Sequence, residues 1–159
     1  MSESVQCRKA VRTDLPELLR LYAQPELDNG ETLDLADAEK IFVRITRYPD
    51  YSLYVATCDD LVVGTFALMI MDNLGHVGTP SAIIEDVAVD PAWHGKGVGR
   101  SMMQYALALA KQKGCYKALI SSNLKRSRAH AFYESLGFER HGYSFRIDLE
   151  EIANRRPIR

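Results

Sequence analysis

Residues 83–103 read IIEDVAVDPAWHGKGVGRSMM, and the reading of the whole chain turns on them. An apolar, strand-like run ends at Asp90-Pro91. A short lead then reaches three alternating glycines, Gly95, Gly97 and Gly99, and a helix-like run follows at once. A helix start leaves about four backbone N–H groups unpaired and carries roughly half a positive charge. Glycines ahead of it let an anion approach the backbone with no Cβ in the way. Lys96 and Arg100 add positive charge at the same place. The junction is suited to a pyrophosphate; the alternative is a glycine-rich turn with no ligand.

Spacing excludes two phosphate motifs. The P-loop pattern GxxxxGK[ST] occurs nowhere in the chain. The dinucleotide pattern GxGxxG fails because Gly97 is followed by Val98, Gly99 and Arg100. ALISS (118–122) also stands where a ribose-binding acid is needed.

Working outward, residues 5–10 read as a first strand. TDLPELLRLY follows, with Leu15, Leu18, Leu19 and Tyr22 on one helical face and Thr13 as N-cap. A second helix is expected over 34–46, with Leu35, Ala38, Phe42 and Ile45 as its buried stripe. YSLYVAT and VVGTFALMIM around Asp59-Asp60 predict a β-hairpin. A loop covers 72–81, and AIIEDVAV is a strand. The helix after the glycines spans 100–113 and stops at Gly114. YKALISS is a strand, and RAHAFYESLG is a short helix closed by Gly137. YSFRIDL alternates Tyr143, Phe145, Ile147 and Leu149 with polar residues, the pattern of a half-exposed strand. The expected order is β-α-α-β-β-β-α-β-α-β, a mixed α/β sheet with helices on both faces.

At 159 residues the chain is one domain by length, 1–159, with a core over about 5–149 and a loose tail over 150–159. A net charge of −1 argues against a nucleic-acid partner. Cys7, Cys58 and Cys115 have no metal-ligand spacing and read as reduced thiols, so no metal is expected. No apolar run approaches the ~20 residues of a membrane span. The polar start carries no signal peptide, and a cytoplasmic protein is expected.

His94-Gly95-Lys96-Gly97-Val98-Gly99 resembles the acetyl-CoA motif [QR]-x-x-G-x-[GA] of the GNAT superfamily of N-acetyltransferases. AFYESLGF resembles that family's second signature, IIEDVAV resembles the strand before its turn, and the element order is similar too. Within the superfamily the chain is similar to small-amine acetylators such as glucosamine-phosphate and aminoalkylphosphonate N-acetyltransferases. The resemblance implies the GNAT fold and direct transfer of an acetyl group from acetyl-CoA to a primary amine of a small molecule. It also implies a homodimer. A CoA-binding sensor without catalysis is the alternative. Two positions depart from the pattern: His94 replaces Arg or Gln, and Arg126 replaces a frequent Asn.

Such a transfer has three demands. A lysine-like ammonium, pKa ~10.4, must lose a proton at pH 7, a cost of about 4.6 kcal/mol. An oxyanion must be stabilised, and a thiolate must leave. The resemblance implies Glu85 as general base, through water. The strand amides near Val87, Ala88 and Val89 are the implied oxyanion and pantetheine donors. Tyr133 is the implied acid at the thiolate. Alternation along a strand puts Glu85 and Asp86 on opposite faces, with Asp86 structural. The alternatives are carboxylates that only satisfy loops and a Tyr133 that is a core aromatic. The backbone from Gly95 through Lys96, Gly97, Val98, Gly99 and Arg100 to Ser101, with His94, is expected to hold the pyrophosphate. Asn123 is expected on the pantetheine or diphosphate arm. Lys125, Arg126 and Arg128 form either a solvated face or a flank for the CoA 3′-phosphate. His130 reads as a packing or capping residue, and His76 lies in a loop that can reach an acceptor. Residues 26–39 hold six acids and no base: an acidic rim for a cationic amine, or an ordinary solvated loop.

Overall fold

The computed structural model describes residues 4–149; the expected tail, 150–159, lies outside the described residues. The chain divides into two compact units, residues 1–120 and 121–159.

The first unit is built on one five-stranded sheet. Its strands are β1 (Gln6–Lys9), β2 (Tyr51–Cys58), β3 (Leu61–Met71), β4 (Ser81–Val89) and β5 (Ala118–Ile120), side by side in that order. Neighbours from β1 to β4 are antiparallel, while β5 runs parallel to β4. The parallel step needs a crossover, which helix α3 (Val98–Gln112) supplies. The β2–β3 turn works because Asp59 and Asp60 both take left-handed backbone, φ 47° and 65°. That is the pairing a two-residue hairpin of the right twist requires, and aspartate tolerates it better than most residues.

Alternation along β2 sorts the helices onto both faces. Leu53 and Val55 pack with Leu15, Leu18 and Tyr22 of α1 (Leu15–Tyr22) and Phe42 of α2 (Leu35–Ile45). Tyr54 points the other way, stacks on Phe66 across the strands at 5.1 Å and meets Tyr105 of α3 at 5.8 Å. Helix α3 buries Val98, Met102, Met103, Ala106 and Ala110, one stripe at helical spacing. Gly64 lets it close on the sheet: a Cβ there would lie 2.5 Å from the Met102 sulfur.

Several expectations are corrected. Asp14, not Thr13, precedes α1. Its carboxylate accepts the Val11 N–H at 2.7 Å and holds the Arg8 guanidinium through two bonds of 2.7 and 3.0 Å. Leu35 is exposed, because it is the first residue of α2 and only Ala38 of its stripe is fully buried. Helix α3 starts two residues earlier than expected, at Val98, because Gly97 already supplies the break.

The second unit contains helix α4 (Ser127–Ser135). The expected last strand at 143–149 does not form: residues 139–149 are exposed and carry no ladder. Alternation states which residues would share a face, but a strand also needs a hydrogen-bonded neighbour. Tyr143, Phe145, Ile147 and Leu149 are therefore left in solvent.

Candidate active site

The glycine turn is clamped before it reaches the helix. Asp90 accepts the Ala92 N–H at 2.9 Å and an Arg20 guanidinium N–H at 2.7 Å. The His94 ring, protonated on Nε2, donates to the Val89 carbonyl at 3.1 Å, tying the turn to the end of β4. The family departure at His94 thus lands on a residue that braces its own loop. Lys96 Nζ lies 4.7 Å above the Trp93 ring. Gly95 and Gly97 sit at φ 74° and 83°, where a Cβ is strained, and open space surrounds both. Gly99 is already helical. The first helical hydrogen bond is from the Ser101 N–H to the Gly97 carbonyl, 3.0 Å. The amides of Val98, Gly99 and Arg100 begin the helix with no acceptor inside it. The Val98 side chain is buried under Gly64, so only its backbone serves the turn.

Strand β4 contains the other feature of the first unit. Glu85 pairs with Ala67 and Ala88 with Thr65, so Asp86 and Val87 together stand against Phe66 alone. This is a β-bulge, and Asp86 takes left-handed backbone at φ 51°. The bulge interrupts the regular alternation from which Glu85 and Asp86 were expected to face opposite sides. Burial raises the Tyr51 phenol, and the Asp86 and Glu85 charges add to it. Toward β5 the ladder stops at Ile84–Ile120. Beyond it, the edge of β4 through Val87, Ala88 and Val89 has no strand beside it in the first unit. The Val89 carbonyl also accepts from Gln24 Nε2 at 3.1 Å.

The electrostatics around the bulge run one way. Partial burial pushes the Glu85 carboxyl up, and the Asp86 charge adds to it. Burial likewise raises Asp86, with Asp28 adding to it. The Tyr22 phenol is pushed far up by burial, only partly offset by the nearby Thr65 hydroxyl. That Thr65 hydroxyl spends its proton on the Tyr54 carbonyl at 2.7 Å, and the buried Tyr22 oxygen has no hydrogen-bond partner of good geometry. Sequence reading missed Tyr22 and Tyr51. Tyr22 shows only as one more apolar position on a helix face, and nothing local marks its hydroxyl.

In the second unit Tyr133 is buried between Phe132 and Phe138, with ring centroids 5.4 and 5.8 Å away. Burial raises its phenol above the ordinary value, and the Arg126 charge draws it part of the way back. Asn123 accepts the Lys125 N–H on Oδ1 at 2.9 Å. Its carbonyl accepts the Arg126 N–H at 3.0 Å and the His130 ring at 2.8 Å. Asn123 and His130 thus fold the entry to α4, and Arg128 is exposed on its first turn. Among the described residues no cluster of His, Cys, Asp or Glu is arranged to hold a metal, and no helix is long and apolar enough to cross a membrane.

Comparison with known proteins gives the family. Residues 49–140 match the acetyltransferase (GNAT) domain. The chain is 32% identical to a glucosamine 6-phosphate N-acetyltransferase of Trypanosoma brucei brucei over 134 residues, 84% of this chain and 86% of that protein. It is 28% identical to the aminoalkylphosphonate N-acetyltransferase of Salmonella typhimurium, covering 61% of this chain and 62% of the relative. A solved Agrobacterium tumefaciens protein described as an acetyltransferase superposes with a TM-score of 0.84 at 33% identity, over 90% of this chain and 99% of that one. With that domain match over more than half of the chain and a relative 32% identical over most of both lengths, the chain belongs to the GNAT family of N-acetyltransferases.

Proposed function

We propose that this N-acetyltransferase transfers the acetyl group of acetyl-CoA directly to a primary amine of a small molecule. The observation that carries the reading is the open turn at Gly95 and Gly97. Its two left-handed glycines leave open space where a Cβ would otherwise stand, just ahead of the first amides of α3, the backbone arrangement that suits a pyrophosphate.

In the reaction the amine nitrogen forms a bond to the acetyl carbon and the carbon–sulfur bond breaks. The amine's proton goes to Glu85, through water, and a proton is shared with the departing thiolate. The raised Glu85 carboxyl is a better proton acceptor than an ordinary glutamate. Backbone amides of the freed edge, Val87 to Val89, face the developing oxyanion; losing one such donor costs about 10²–10³ in rate. Tyr133 donates a hydrogen bond to the thiolate. Full transfer from a phenol to a thiolate is uphill by ~1.5 units before any shift. Burial of Tyr133 raises it further, so donation without complete transfer is the step assigned to it. Arg126 and Arg128 flank the CoA phosphates, and Asn123 orders the loop that presents them.

The 49–140 match runs through both units, which supports one domain over 1–159. A homodimer belongs to the proposal as well. Leu74 and Val77 are fully exposed, and Tyr143, Phe145, Ile147 and Leu149 are nearly so, surface that a second copy would cover. Cys7 and Cys115 are reduced, which suits a reducing, cytoplasmic setting.

The test is release of free CoA thiol from acetyl-CoA across a panel of amines, with acetyl-CoA binding followed by calorimetry. Heat of binding and amine-dependent thiol release are expected. No binding at millimolar acetyl-CoA overturns the reading. Sedimentation at micromolar concentration should report twice the chain mass.

A further inference from the structure

The glycine turn carries a side chain whose charge depends on pH, and geometry fixes it in place. His94 stands directly before Gly95 and is exposed, while its Nε2 donates to the Val89 carbonyl at 3.1 Å. A carbonyl only accepts, so Nε2 keeps its proton in both charge states and the second proton goes to Nδ1. The ring therefore holds its position when it becomes a cation. The same carbonyl accepts from Gln24 Nε2 at 3.1 Å, so the end of β4 is tied from two sides. The acid near the ring is Asp90, already committed to the Ala92 N–H at 2.9 Å and to Arg20 at 2.7 Å. The Ala92 N–H, then Arg20 and the His94 charge, hold the Asp90 carboxyl below its ordinary value. Arg20 also bonds Glu17 at 2.7 Å. One guanidinium set against two carboxylates leaves this side of the turn negative until His94 gains its proton. On the other side of Gly95, Lys96 rests above the Trp93 ring.

We propose that His94 is a titrating cation of the cofactor turn: its imidazolium, fixed by the Val89 carbonyl, makes acetyl-CoA bind more tightly as pH falls through the histidine range. Imidazole changes charge between about pH 5 and 8, whereas the Lys96 and Arg100 side-chain types stay charged throughout. A cation that comes and goes beside a diphosphate turns a constant site into a pH-dependent one. An added unit charge beside an exposed anion is worth roughly a three- to tenfold change in affinity at low ionic strength. The diphosphate keeps its charge across this range, but a phosphate monoester such as the CoA 3′-phosphate loses part of its charge near pH ~6. The effect of His94 is therefore the change in affinity relative to a variant whose charge at 94 is constant, since the ligand's own titration is common to both.

This inference rests on the acetyl-CoA reading of the turn. Acetyl-CoA is titrated calorimetrically, at low salt, into the full chain, His94→Gln and His94→Arg, each at about pH 8 and about pH 6. Glutamine is neutral and arginine is charged at both values. Gln24 still bonds the Val89 carbonyl in either variant, so the end of β4 keeps a donor. Between the two pH values the affinity of the native chain relative to His94→Gln should rise about three- to tenfold, and its deficit against His94→Arg should shrink by a similar factor. Either variant decides the question if the other folds poorly. A brace without a charge role would shift affinity by the same factor at both pH values. A ratio of native to variant affinity that stays constant, or that falls as pH falls, overturns this inference and leaves the acetyl-CoA reading standing. Absence of acetyl-CoA binding at both pH values overturns the two together.

Discussion

Two glycines on α3 form a matched pair that isolates the ligand from the fold. Gly97 precedes the helix at φ 83°, and Gly114 follows it at φ 79°. Neither has any atom within 4 Å of where a Cβ would sit. The Gly114 and Cys115 N–H groups close the helix end on Lys111 and Ala110, both at 3.0 Å. Substitution by alanine therefore has the same conformational cost at each end, about 1–2 kcal/mol for left-handed backbone. The less flexible unfolded chain offsets about 0.4–1 kcal/mol of this. A net loss of ~0.5–1.5 kcal/mol follows for each, and at ~2–4 °C per kcal/mol both melting temperatures should fall by about 1–6 °C. Binding should separate them. A Cβ at Gly97 would stand in the space assigned to the pyrophosphate, while Gly114 lies past the far end of a 15-residue helix about 22 Å long. Gly97→Ala should weaken acetyl-CoA at least tenfold by calorimetry, and Gly114→Ala should leave it unchanged. Equal acetyl-CoA affinity in the two variants would refute the assignment. A loss above 3 kcal/mol at Gly97 alone would show that the turn's space is needed by the protein itself.

Other outcomes follow from the same geometry. Tyr133→Phe removes a hydrogen bond to a charged group worth about 1.5–3 kcal/mol, so kcat should drop about 10–150-fold with acetyl-CoA affinity intact. An unchanged kcat removes Tyr133 from its role. Asp86→Asn deletes a negative neighbour that helps hold Glu85 up. The acid limb of the kcat/KM profile should therefore move to lower pH, and a limb that stays or rises contradicts Glu85 as base. Asp14→Ala should cost about 1–3 kcal/mol in urea unfolding, since it strips the Arg8 and Val11 bonds from a buried carboxylate. Those bonds hold Asp14 below its ordinary value, Arg8 most of all. Its contribution is thus complete above the unfolded value of ~3.9 and lost as pH falls below it. Wild type should lose stability through that range, and the variant should lose less.

What sequence could disclose here is what local chemistry decides. Two aspartates in a row between apolar runs specify a left-handed hairpin turn, and alternating glycines before a helix specify an open backbone. Both are legible because the residue types themselves carry the backbone preference. The start of α1 was less so. Thr13 and Asp14 are both good capping residues, yet neither side chain caps α1: Asp14 stands at the helix start with its carboxylate turned back to Arg8 and the Val11 N–H. The alternation at 143–149 gave the right period and the wrong structure, since no local signal says whether a neighbouring strand exists.

The bulge was illegible for a deeper reason. IIEDVAV reads as seven regular strand positions, and nothing in Glu85-Asp86 announces that one residue is extra. The cause lies in register: Phe66, opposite, is packed on Tyr54 beneath α3 and holds one place on β3 while β4 spends two against it. The last residue of β4 paired with β5 is Ile84, with only Glu85 between it and the bulged pair. One extra residue thus accounts for two features at once. It puts Asp86 into left-handed backbone, and it falls where the strand edge loses its partner. A strand restored to regular alternation would set Asp86 alone opposite Phe66, whose ring packs on Tyr54 under α3, and would take the Asp86 backbone out of the left-handed region.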